Sequence, residues 1–255
     1  MRFVGIIPAR LAATRFPRKP MAMICNMPMV GHCYHRARLA LGQENVYVAT
    51  CDSEISSYIE TINGKSIITS NSHTRATTRT AEALEIIENS NNIQFDVIVM
   101  IQGDEPLIKP ETILAILNNF NDPSIEVVNV MSRIQTLNQF TDKNNVKVVV
   151  NKHNDALYFS REPIPSPWRG VEKVPMFMQT GIIAFRREAL IRFNNASESI
   201  HEQIESVDMN RILDAGEKIR MVLTEDVTLG VDTEEELNIA STLIKQDKTI
   251  SRYLV

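Results

Sequence analysis

Residues 95–102, FDVIVMIQ, constrain the fold of this chain more than any other stretch. Their apolar core has no polar alternation and is bounded by Asp96 and Gly103. A strand of that kind keeps both faces out of water, so it needs neighbouring strands beside it and helices above and below. The flanking sequence supplies them. Residues 2–7, 46–50, 65–69 and 126–132 read as short strands, and 29–41, 53–62, 77–89 and 110–120 as helices. Val30, Cys33, Ala37 and Leu41 share one face of the first helix, and Ala81, Leu84 and Ile87 one face of the third. Pro110 stands in the first turn of the fourth helix, where its missing N–H costs nothing. Strands alternating with helices, joined by right-handed crossovers, give a mostly parallel sheet. The expected class is α/β.

The pattern changes after about residue 133. Residues 146–151, 156–161 and 176–186 read as strands with little helix between them. The segment 162–175 carries four prolines and the only tryptophan, Trp168, and reads as a long irregular loop of the kind that tends to be functional. A helix from Ile200 to Ala215, a strand at 219–223 and a last helix from Thr233 complete the chain. No repeat, low-complexity tract or linker interrupts it. The reading is a single domain over residues 1–255 with two halves that divide near residue 132.

Apolar residues make up 44% of the chain and charged residues 23%, the balance of a globular protein with a full core. The net charge of −4 argues against nucleic acid as a partner, since that binding needs a basic surface. No stretch approaches the roughly 20 apolar residues that span a bilayer. The apolar run at the N-terminus, about five residues, is short for the core of a signal peptide. A cytoplasmic protein is expected. Cys25, Cys33 and Cys51 are odd in number and form no C-x-x-C pair, so they read as small hydrophobes rather than a disulfide or zinc site. His32, His35, His153 and His201 read as core or surface residues rather than ligands.

In open α/β sheets, ligands bind beyond the carboxyl ends of the strands. After the first strand comes Pro8-Ala9-Arg10, and four cations, Arg10, Arg15, Arg18 and Lys19, fall within ten residues. Arginine offers a planar fork to phosphate oxygens and lysine a compact charge. The glycines of a P-loop are missing, and a solvated basic loop is the alternative. Beyond residues 95–102 stands Gln102-Gly103-Asp104-Glu105-Pro106. Two adjacent carboxylates at a strand tip suit Mg²⁺, which takes one or two carboxylates plus substrate phosphates; a plain turn before the next helix is the alternative. Far downstream, Asp232 in Gly230-Val231-Asp232-Thr233-Glu234 would cap the last helix. The sharper expectation is that Asp104 and Asp232 share one metal.

Together these segments resemble the 3-deoxy-manno-octulosonate cytidylyltransferase family, whose opening reads I-I-P-A-R-x-x-S-T-R-x-P-x-K-P. Ile6 through Arg10, Thr14, Arg15, Pro17, Lys19 and Pro20 match it. Further matches are residues 48–50, 102–106, 146–149, 157–161, 216–219 and 230–233. The resemblance implies a GT-A-like, Rossmann-type nucleotidyltransferase with a smaller acceptor and dimerisation lobe, so that residues 1–132 bind nucleotide and 133–255 the acceptor. It implies a cytoplasmic homodimer of lipopolysaccharide biosynthesis that uses Mg²⁺, CTP and a sugar acid and releases pyrophosphate, without nucleic acid or membrane insertion. By position, Pro8, Ala9, Arg10, Lys19, Arg75, Thr77 and Gln102 would bind the nucleotide, with Arg10 and Lys19 on its phosphates. Asp104 and Asp232 would hold the metal. Arg15, Arg79, Gln102, Arg161, Gln179 and Asp208 would face the sugar acid. Lys19, Arg10 and Asp104 would carry catalysis.

Four departures from the family pattern stand out. Ala13 replaces its serine and Arg18 a glycine. His73-Thr74-Arg75-Ala76-Thr77-Thr78-Arg79 replaces H-x-S-G-T-D/E-R, which adds a methyl and removes an acid near the expected base and ribose. Gln179 and Ile183 stand where the family has histidine and tyrosine. Asp208 and Met209 stand where it has glutamate and glutamine. The last two changes point to a different, less hydroxylated or modified acid, because a site built around polar groups rejects a ligand that leaves them unpaired. The competing classes are a GT-A-like glycosyltransferase, which expects a D-x-D motif, and a nucleotide-binding regulator without activity.

Overall fold

The computed structural model describes residues 1–12, 16–170 and 175–254. In chain order its elements are β1 (Phe3–Pro8), β2 (Met23–Ile24), β3 (Met27–Pro28), α1 (Met29–Leu41), β4 (Val46–Thr50), α2 (Ser53–Thr61), β5 (Lys65–Ile68), α3 (Ala76–Asn91), β6 (Val97–Ile101) and α4 (Pro110–Asn118). There follow β7 (Val127–Arg133), α5 (Leu137–Thr141), β8 (Lys147–Val150), β9 (Ala156–Ser160), β10 (Phe177–Arg186), α6 (Arg187–Asn195), α7 (Ile200–Glu205), α8 (Met209–Asp214), β11 (Arg220–Thr224) and α9 (Glu234–Gln246). They form two compact units, one of Met1–Leu114 with Val227–Val255 and one of Ala115–Asp226.

The first unit is built on four parallel strands in the order β6-β1-β4-β5. Every residue of β6 is buried, as its unbroken apolar run requires. On α3 the buried face is Thr80, Ala83, Leu84 and Ile87, with Ala81 only half-buried. Leu84 and Ile87 thus face inward as expected, and Ala81 alone of the expected residues does not. Thr80 can be buried because its hydroxyl donates to the Ala76 carbonyl, 2.9 Å away.

In the second unit β11 pairs parallel with β7, while β7–β10, β10–β8 and β8–β9 are antiparallel. The register of β10 slips between Gln179 and Ile183. Buried Asn129 accommodates the slip by donating Nδ2 to the Thr180 and Ile182 carbonyls at 3.1 and 2.8 Å. The helix expected over 200–215 is two short ones. Ser199 and Glu202 form a capping box on α7, and Ser206, at φ 53°, turns the chain into the left-handed region and ends it.

The observed division differs from one near residue 132. Residues 227–254 return to the first unit because α9 closes an apolar cluster there, in which Val231, Ala240 and Ile244 meet Ile24, Met29 and Leu107. The chain end is tied down in the same unit. The Tyr253 hydroxyl accepts from Arg36 Nε at 3.1 Å and lies 2.8 Å from His32 Nδ1, and its ring stacks on His35 with centroids 5.3 Å apart. His32 Nε2 lies 2.8 Å from the Ile24 carbonyl, which only accepts, so Nε2 carries the proton and Nδ1 accepts from Tyr253.

Burial pushes the pKa of both histidines down to about 4. In the unfolded chain each titrates near 6.5, so below that pH the unfolded state takes up protons that the fold refuses. Stability against urea is therefore predicted to fall as pH drops from about 6.5 to about 4. Tyr253→Phe leaves a buried acceptor on His32 and is predicted to cost about 1–3 kcal/mol at neutral pH in the same measurement.

Candidate active site

The described residues of the loop after β1 are held through their backbone N–H groups. Ala9 N donates to the Ala49 carbonyl at 2.9 Å, Leu11 N to Asp52 Oδ2 at 2.8 Å, and Arg18 N to the Leu11 carbonyl at 3.0 Å. Lys19 then opens a 3₁₀ turn, Lys19–Met21, whose Pro20 is buried. Beside this loop runs the segment after β6. A Cβ on Gly103 would stand 3.2 Å from the Pro8 carbonyl oxygen and 3.3 Å from Ala9 Cβ, tight contacts that would push the two segments apart by a few tenths of an ångström, so glycine favours this close approach. Asp104 follows it. Its carbonyl accepts from Val231 N at 3.0 Å, which brings the next residue, Asp232, alongside.

Asp232 does not cap α9. Thr233 does, accepting from Glu236 N at 3.2 Å, while Glu236 Oε2 accepts from Asp232 N at 2.7 Å. The T-x-x-E spacing of a capping box carried this signal. The Asp232 carboxylate is thereby left to face Lys19. Lys19 Nζ lies 2.6 Å from Asp104 Oδ2 and 2.8 Å from Asp232 Oδ1. Burial disfavours the ammonium, but attraction and hydrogen bonding to Asp104, and then to Asp232, outweigh it and hold its pKa above the ordinary lysine value.

A cleft of about 280 Å³ opens here, and the described residues that line it all belong to the first unit. Pro8, Ala9, Arg10, Lys19, Arg75, Gln102, Asp104 and Asp232 all line it, as does Arg79. Thr77 does not; it is buried within the first turn of α3. Arg79 is also buried, and its guanidinium donates to the Thr69 hydroxyl and to the Ser70 and His73 carbonyls. It braces the loop that forms one wall. Arg10 Nη1 donates to the same His73 carbonyl at 3.2 Å. His73 is held in turn by Glu82, at 2.5 Å, and by the Thr78 hydroxyl, at 3.1 Å. Thr78, which replaces an acid, therefore serves His73 rather than Arg79. Glu82 was not singled out from the sequence, although its spacing of four from Thr78 places both on one helix face.

Arg15 and Ala13 lie outside the described residues. Arg18 does not line the cleft; it bonds Glu54 at the start of α2 and sits at φ 60°. Arg161, Gln179 and Asp208 belong to the second unit. The Arg161 guanidinium donates to the carbonyls of Lys143, Glu205 and Ser206, and the Glu205 carboxylate accepts from Ser160 Oγ and Arg161 N, each at 2.8 Å. Fully buried Lys147 donates to the carbonyls of Asp142, Asn145 and Arg161. Gln179 Oε1 is buried without a hydrogen-bond partner among the described residues. Asp208 precedes α8. Ile183 and Met209, which replace polar family residues, are core side chains, 2% and 0% exposed.

The pair Asp104 and Asp232 fits Mg²⁺. One ammonium touches both carboxylates, so one cation can. Among the described residues no group of three or more metal-ligating side chains occurs, so the remaining ligands would be phosphate oxygens and water, the usual habit of this ion.

Residues 4–219 match the family model described as cytidylyltransferase. The chain is 38% identical to the 3-deoxy-manno-octulosonate cytidylyltransferase of Thermodesulfovibrio yellowstonii, over 93% of this chain and 96% of that protein. It is 36% identical to the same enzyme of Escherichia coli, over 96% of each. The fold superposes with TM-score 0.85 on a CMP:2-keto-3-deoxy-manno-octonic acid synthetase complexed with CTP, at 36% identity and covering 96% of this chain and 99% of that one.

Arg18 strains the backbone by about 1–2 kcal/mol, and an exposed ion pair returns at most about 1. Arg18→Gly is therefore predicted to leave urea stability unchanged or raised, with nucleotide affinity unaltered by calorimetry.

Proposed function

The chain belongs to the cytidylyltransferase family, and from that premise we propose that it transfers CMP from CTP to the anomeric hydroxyl of 3-deoxy-manno-octulosonate or a related sugar acid. The observation that carries the reading is the meeting of Lys19, Asp104 and Asp232 beside Arg10 in one cleft.

The reaction forms a bond from the sugar oxygen to the α-phosphorus and breaks the bond to the β-phosphate. The hydroxyl proton passes to solvent, and pyrophosphate leaves. Arg10 and Lys19 supply the fixed positive charge that such a transfer needs, in a site already arranged before reaction. Asp104 and Asp232 would hold Mg²⁺, which supplies further charge neutralisation at the phosphates. The loop of His73, braced by Arg79 and Glu82, gives the nucleotide a rigid wall. With positioning and charge accounting for the rate, no protein base is required.

A changed acceptor is the second reading. Gln179 stands where the family carries histidine, and its buried Oε1, without a partner among the described residues, favours a ligand that brings a hydrogen-bond donor. A homodimer is supported by Ile200 and Ile204, one turn apart on α7 and 67% and 70% exposed. A cytoplasmic setting accords with the need for CTP; no helix among the described residues is long and apolar enough to cross a membrane.

Pyrophosphate release measured with each of the four nucleoside triphosphates, Mg²⁺ and a panel of 2-keto sugar acids tests the proposal. Release is predicted with CTP and a carboxylated sugar alone; release with another triphosphate, or none in folded protein, contradicts it. Asp104→Ala and Asp232→Ala should each lose at least about 100-fold in turnover while staying folded by circular dichroism.

A further inference from the structure

Lys19 sits where a cation between Asp104 and Asp232 would sit. Its Nζ is in hydrogen-bond contact with both carboxylates, at 2.6 and 2.8 Å, and its side chain is only 13% exposed. Mg²⁺ bound to the same two oxygens would lie about 2.0–2.1 Å from each, leaving no room for an ammonium in contact with both. The two cations compete for one place. Among the described residues that line the cleft, Asp104 and Asp232 are the only carboxylates. Its other cations, Arg10, Arg75 and Arg79, line the same walls, so an ammonium leaving the aspartates would move among like charges.

We propose that Lys19 acts as an internal counter-ion that occupies the metal site of the free protein and yields it only when nucleotide phosphates draw the ammonium away. The inference rests on the reading of this cleft as a nucleotide and Mg²⁺ site. Lys19 then has two stations, the aspartates without nucleotide and the phosphates with it. The side chain is suited to both: a flexible four-carbon stem carries a compact charge, and its backbone is anchored by the turn over Pro20. Nucleotide binding opens the metal site, and by linkage a divalent cation tightens the nucleotide to the same degree. The free protein does not collect divalent cations, although two carboxylates stand together in an open cleft.

Mn²⁺ binding to the nucleotide-free protein, followed by the loss of the free-ion electron paramagnetic resonance signal, tests this directly. Wild type should bind Mn²⁺ no more tightly than Asp104→Asn. Lys19→Met and Lys19→Gln, checked for folding by circular dichroism, should each bind it at least about tenfold more tightly than wild type. Adding Asp104→Asn to either should abolish that gain. Asp104-dependent binding by nucleotide-free wild type as tight as by the Lys19 variants would overturn the proposal, and so would failure of the folded variants to gain affinity. Tight Asp104-dependent binding by wild type counts against it even if the variants do not fold. Either result with CTP-dependent turnover intact removes the counter-ion role alone. Absence of that turnover in wild type removes the reading beneath it.

Discussion

Asp104 from the middle of the chain and Asp232 from its last quarter are held against one ammonium in the first unit, and the proposed chemistry of the cleft depends on that contact. Two like charges about 4 Å apart repel by about 4 kcal/mol at an effective dielectric of 20, so a cation between Asp104 and Asp232 removes a substantial cost of placing both in one cleft. Lys19 supplies it. A chain that gathers its acids before any ligand arrives needs a substitute charge in the fold itself. The raised Lys19 pKa expresses the same balance, since attraction to the acids exceeds the penalty of burial.

The geometry is set by backbone contacts upstream of the side chains. β1 and β6 are adjacent parallel strands, so the loops after them emerge at the same edge of the sheet. Gly103 lets those loops touch, and the hydrogen bond from Val231 N to the Asp104 carbonyl registers a segment from the far end of the sequence against them. Behind it, α9 buries Val231, Ala240 and Ile244 in the cluster that also contains Ile24 and Met29. Apolar packing thus sets the position of Asp232, and the charge contact uses it.

Much of this was legible in the residues. The strand at 46–50 and the helix at 29–41 carry unambiguous periods, and both occur with those bounds. Lys19, Asp104 and Asp232 were legible because each follows an element whose carboxyl end must face the ligand edge, or precedes a helix. What escaped depends on tertiary partners. α5 and α6 are short, and α6 begins on Arg187 directly after a strand, without a capping residue to announce it. The break at Ser206 uses a left-handed residue that is not glycine. Arg79 matched a ligand motif, yet its guanidinium is occupied by Thr69, Ser70 and His73, partners that no spacing rule predicts. The return of residues 227–254 to the first unit is likewise a packing result.

The central claim is that Asp104 and Asp232 grip one divalent ion while Lys19 and Arg10 grip the triphosphate. A crystal grown with CTP and Mn²⁺, with data collected at the manganese absorption edge, addresses it without reference to rates. The account predicts an anomalous peak in contact with both aspartates, with the Lys19 ammonium on phosphate oxygen. A peak away from one of these carboxylates, or CTP bound with Lys19 still bridging them, would contradict it.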